Sequence, residues 1–171
     1  MGRAGRRDGG LTALRFLFID RILEVEPGRR ILASKLVTMA DGYLVADPSG
    51  QPAMPASILL ECLAQTGGDL NLLTRGMRTQ TFLVAAEGLR IRRPPRPGET
   101  LLMDVRMERG HSDGATVTAE ARIGSELAAT LDRMLYVHRQ SDDASYERRQ
   151  RARMETLLLS PIPVSPSQTP G

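Results

Sequence analysis

The chain has 171 residues, 41% of them hydrophobic, which is enough for one domain with a packed core plus tails. Aromatic residues make up only 4% and Trp is absent, so the core is aliphatic and Met-rich, and no aromatic-laden basic surface supports specific nucleic-acid recognition. The net charge of +3 is modest, and a single cysteine, Cys62, excludes an intrachain disulfide and a cysteine-rich metal site.

Residues 1–13 are basic and Gly-rich and are expected to form a flexible arm, with no hydrophobic signal segment at the start. A cytoplasmic location is the expectation that follows. Residues 16–25 and 31–38 are β-rich, and Glu26-Pro27-Gly28-Arg29 between them is a turn, so the two runs predict a hairpin. Residues 39–53 form a loop carrying Asp41, Asp47, Pro48, Gly50 and Pro52.

The chain is organised around the next stretch. Pro55 fits a first helical turn, and Gly76 fits a C-terminal cap. Between them apolar or small residues occupy nearly every helical face, which predicts a buried helix rather than one laid on a surface. Glu61, Gln65, Gly67, Gly68 and Asp69 interrupt the run, and it is too short to span a membrane. A buried Glu61 costs several kcal/mol unless it is paired, hydrogen-bonded or protonated. Gln65 lies one turn later on the same face, within reach of it. Two readings stay open: a structural Glu–Gln pair, or a catalytic or substrate-orienting carboxyl on the floor of an apolar channel.

Strands are expected at 81–91, 100–109, 115–123 and 126–138, the last ambiguous by local propensity and assigned by the regular strand–turn spacing. The sum is one domain over residues 14–139, an α+β layer of antiparallel sheet wrapped around one long helix. Residues 140–171 predict a polar helix followed by a Pro/Ser-rich tail. His111 and His138, the only histidines, lack a metal-ligand cluster, and no metal or cofactor is expected.

Four motifs then resemble one family. Residues 18–23 (Phe-Ile-Asp-Arg-Ile-Leu), 50–55 (Gly-Gln-Pro-Ala-Met-Pro), 61–65 (Glu-Cys-Leu-Ala-Gln) and 92–99 (Arg-Arg-Pro-Pro-Arg-Pro-Gly-Glu) are similar, in order, to segments of the β-hydroxyacyl-[acyl-carrier-protein] dehydratases. The resemblance covers about residues 16–138 and implies the hot-dog fold, a dimer with sites at its interface, and acyl thioesters of a carrier protein or coenzyme A as substrates. It implies a His in a Gly-His-Phe-Pro-Gly loop as base and a carboxyl on the partner's central helix. Aligned without gaps, that loop falls on residues 46–50, so the His position is Asp47 and the helix-start Gly is Ala56. Glu61 and Asp47 are therefore the catalytic candidates, with Ala56, Gln65, Met54 and Leu60 as substrate-binding candidates. Arg90, Arg92, Arg93 and Arg96 are candidates for docking an acidic carrier protein.

An ordinary Asp is a poor base for a carbon acid, so the resemblance implies an impaired dehydratase or the partner subunit of an active homologue in fatty acid or polyketide synthesis. A homodimer and a heterodimer both fit. The alternatives are a hot-dog thioesterase that uses a carboxylate, and a docking module acting through its Arg-rich tail.

Overall fold

The computed structural model describes residues 17–158; the basic arm and the Pro/Ser-rich tail lie outside that range. Strands β1 (Arg21–Glu26) and β2 (Arg30–Leu36) form the expected hairpin, and Gly28 takes the positive φ of 77° that its turn requires. The loop that follows contains two short paired strands, β3 (Val45–Ala46) and β4 (Pro52–Ala53). Helix α1 (Ala56–Arg75) comes next, with Pro55 at its N-cap and Gly76 closing it at φ 94° through an N–H donated to the Leu72 carbonyl.

Four long strands complete the sheet: β5 (Thr79–Ile91), β6 (Thr100–Gly110), β7 (Gly114–Ile123) and β8 (Glu126–Gln140). The ambiguous 126–138 segment is a strand, because it pairs on both sides with β7 and β5. The sheet order is β1-β2-β6-β7-β8-β5, antiparallel throughout. This is the hot-dog arrangement, a six-stranded antiparallel sheet curved over one helix. Alternation along β6 sends Leu101, Met103 and Val105 inward, where they meet Leu59, Cys62, Leu63 and Leu70 of α1. Each such side chain, fully withdrawn from water, contributes about 1.5–3 kcal/mol.

Gly67 permits the closest approach of helix and sheet. A Cβ there would lie 2.5 Å from the Tyr136 hydroxyl, which donates a 2.8 Å hydrogen bond to the Ala64 carbonyl. The phenol of β8 thus seats directly on the α1 backbone.

Contrary to the expectation of a helix buried all round, α1 has an open stripe. Ala56, Ser57 and Glu61 are exposed, and Leu60, Gln65 and Gly68 are half-buried. The sheet covers only one side of the helix within a single chain.

The predicted polar helix is α2 (Ala144–Leu157), capped by Asp143, whose carboxylate accepts from the Ser145 N–H at 2.7 Å. It packs back onto the body through a stripe of Tyr146, Gln150, Arg153, Met154 and Leu157, spaced as one helical face. At its C-terminal end Leu157 is buried and Leu158 bridges Ile22 of β1.

Candidate active site

A cavity of about 530 Å³ lies between α1, the edge strand β5 and α2. Glu61 and Gln65 face it from α1, with Gly68 and Asp69 further along the helix. The side chain of Gln65 is oriented at both ends. Its Oε1 accepts the Phe18 N–H at 2.9 Å, and its Nε2 donates to Glu61 Oε1 at 2.9 Å. One Glu61 oxygen is therefore held while the carboxylate stays exposed in the single chain, rather than buried as the sequence reading anticipated.

Asp47 does not line this cavity within its own chain. Its carboxylate is taken up by its own turn. Oδ1 accepts from the Ser49 hydroxyl at 2.5 Å and from the N–H groups of Ser49 and Gln51 at 2.8 and 3.1 Å, and Oδ2 accepts from Arg96 at 2.5 Å. The Ser49 hydroxyl foremost, then Arg96 and the two N–H groups, hold this carboxyl well below the usual carboxylate range. An acid so stabilised as its anion is a very weak base.

Ala56 is exposed at the start of α1. The α1 N-terminal N–H groups carry the positive end of the helix dipole there, an arrangement able to polarise a carbonyl. Met54 is buried in the core and its N–H donates to the Pro95 carbonyl at 2.8 Å, tying the helix entry to the Pro-rich turn. Leu60 packs partly buried against the core. Neither Met54 nor Leu60 lines the Glu61 cavity of the single chain.

The arginine group is largely neutralised. Arg90 pairs with Asp132 at 2.7 Å, Arg93 with Glu99 and Glu126 at 3.0 and 2.8 Å, and Arg96 with Asp47. Arg92 is exposed and has no ion pair among the described residues.

The histidines stand apart from Glu61. His111 is exposed in the β6–β7 turn. His138 ends β8 with Nε2 at 2.9 Å from Asn71 Oδ1, and the Asn71 amide donates to the Gly67 carbonyl, which fixes that oxygen as an acceptor. Burial, then the nearby Arg75 charge, lowers the His138 pKa. Cys62 is fully buried, and burial pushes its thiol up to about 12, so it is an inert core residue.

Sequence reasoning missed the contribution of α2. Tyr146, Arg149, Gln150 and Arg153 form one wall of the cavity. Arg153 makes a two-pronged ion pair with Asp69 at 2.5 and 3.0 Å, and Asp69 is 3% exposed. Burial raises the Asp69 pKa, and the guanidinium opposes it. The signal was present: an Asp within an apolar helix demands a cation, and the 146/150/153/154/157 spacing marks a docked face. Among the described residues no helix is long and apolar enough to cross a membrane, and no group of His, Cys, Asp and Glu could hold a metal.

A six-stranded antiparallel sheet curved over one central helix defines the class of hot-dog proteins, and here that helix carries a Glu–Gln pair beside the edge strand β5. The chain matches the FabA-like domain family over residues 11–130 and belongs to it. It is 40% identical over 123 residues to a 3-hydroxyacyl-[acyl-carrier-protein] dehydratase FabZ of Roseiflexus sp., covering 68% of this chain and 86% of that one. A FabZ of Thermomicrobium roseum is 37% identical over 115 residues, with 67% and 77% covered. Among solved structures, the dehydratase heterocomplex ApeI:P from Xenorhabdus doucetiae superposes with a TM-score of 0.60 at 14% identity, covering 78% of this chain and 88% of that one. The smu.793 protein of Streptococcus mutans, bound to acetyl CoA, gives 0.59 at 15% identity, covering 78% and 99%. At these identities the structural likenesses show the fold alone.

Proposed function

We propose that this protein binds β-hydroxyacyl thioesters of a carrier protein in fatty acid or polyketide synthesis, and that it acts as the Glu-bearing partner of a His-bearing dehydratase subunit. The observation that carries this reading is the fate of Asp47. The position where the family resemblance places the base holds a carboxylate saturated by Ser49, Gln51 and Arg96, so proton abstraction from carbon has no competent base in that loop. Glu61, by contrast, stays accessible and is oriented by Gln65. Its place beside β5 also supports the reading. That strand is the outer edge of the sheet, with Phe82 and Val84 about half exposed, and a second subunit adding there would close the Glu61 cavity.

In this mechanism the imidazole of the partner takes the proton alpha to the thioester, the N-terminal N–H groups of α1 polarise the carbonyl, and Glu61 handles the leaving hydroxyl. The test mixes the purified chain, alone and with a His-bearing homologue, with a β-hydroxyacyl carrier-protein thioester. Water loss should be negligible alone and, in the mixture, should fall about 10²- to 10⁴-fold in Glu61→Gln. Brisk water loss by the chain alone that disappears in Asp47→Ala sinks the reading. Thiol release that requires Glu61 would favour a thioesterase instead.

A further inference from the structure

We propose that α2 makes the Glu61 cavity selective for short acyl groups carrying a polar substituent, over long saturated ones; this rests on the cavity being the acyl site, as proposed above. The family match covers residues 11–130, and α2, at Ala144–Leu157, lies beyond it. It is nevertheless built into the cavity. The Asp69–Arg153 ion pair ties it to α1, Met154 and Leu157 anchor it in the core, and the Tyr146 hydroxyl donates to the Thr79 carbonyl of β5 at 3.3 Å.

That placement decides what the far wall is made of. Gln150 projects from the docked face into the cavity, half-buried, and its amide has no hydrogen-bond partner among the described residues. On β5, Thr81 lines the same cavity with its hydroxyl oxygen buried and without a partner among the described residues. Buried polar atoms are nearly always satisfied, so the open Thr81 hydroxyl calls for a hydrogen-bonding group in this cavity, whose α2 wall offers the Gln150 amide as a further partner. An apolar chain extending there would strand the Thr81 hydroxyl. A hydroxyl or carbonyl on the acyl group satisfies it. A chain too long for the cavity gains nothing from further methylenes, whereas an apolar wall would add roughly fourfold in affinity for each methylene buried.

The test is calorimetric titration of the full chain with non-reacting pantetheine thioesters: butanoyl, octanoyl and hexadecanoyl, and octanoyl carrying a terminal hydroxyl. The wild type should show affinity that levels off beyond octanoyl, with the hydroxylated octanoyl binding about tenfold tighter than its saturated counterpart. The Thr81→Val and Gln150→Leu double variant should reverse that preference and bind hexadecanoyl about tenfold tighter than the wild type does. Thr81→Val keeps the side-chain shape and removes an unpartnered hydroxyl, so the fold is retained, which an unchanged thermal melt confirms. A wild-type affinity that climbs steadily to hexadecanoyl, or identical profiles in both proteins, overturns the proposal. No binding by any thioester overturns the acyl-site reading itself and this proposal with it.

Discussion

Two carboxylates on one helix face the same cavity and have opposite fates. Glu61 is exposed, held by the neutral amide of Gln65, and has no ion pair among the described residues. Asp69, two turns on, is 3% exposed and gripped by Arg153 from α2. What separates them is coverage rather than local sequence: α2 lies over the second and leaves the first open. The difference teaches that a charge within an apolar helix is either available to a ligand or matched by another element, and that the matching element tells where the cavity ends.

The comparison is most severely tested by Arg153→Ala, which strands the Asp69 carboxylate. It should destabilise the fold by about 3–5 kcal/mol in urea denaturation. The loss should be greatest near neutral pH and shrink in acid. The sign follows from the raised Asp69 pKa: the folded state binds that proton more tightly than the unfolded chain, so the penalty is absent below about pH 4 and develops as pH rises through the folded pKa. A pH-independent loss would mean that Asp69 is not the stranded group.

Next in size, Gly67→Ala drives a methyl into the Tyr136 hydroxyl, on the stretch of α1 between the two acids, and should cost about 1–3 kcal/mol by thermal melting. Replacing both partners, Asp69→Leu with Arg153→Met, should leave stability within about 1 kcal/mol of the wild type, or raise it, because no charge is then buried. A large loss from that pair would show that the ion pair holds α2 by more than compensation. Smallest of all is Glu61→Gln, expected to change stability by less than about 0.5 kcal/mol while abolishing its part in the reaction. A structural Glu–Gln pair would show the reverse, lost stability with retained activity.

The hairpin, the helix entry at Pro55 and its close at Gly76 were legible because local chemistry sets them, proline through φ and glycine through left-handed backbone. The inward row of β6 was legible because period-two alternation survives any tertiary arrangement. The last strand, β8, was assigned only by spacing, since residues 126–138 suit either state until β7 and β5 pair with it. Of the site, Glu61 and Gln65 emerged as a same-face pair from helical spacing, and the geometry brings them into one hydrogen bond. The hold on Asp47 was legible only in part: Ser49 stands two residues on, in the same turn, whereas Arg96 comes from 49 residues away in sequence.

The sequence alone therefore determined the layer architecture and the family, because both rest on periodicity and on motifs read within a few residues. Only the tertiary structure decided which carboxylates are free. Burial and pairing are set by elements distant along the chain, Arg153 over Asp69 and Arg96 over Asp47, and a charge's chemistry follows the company the fold gives it.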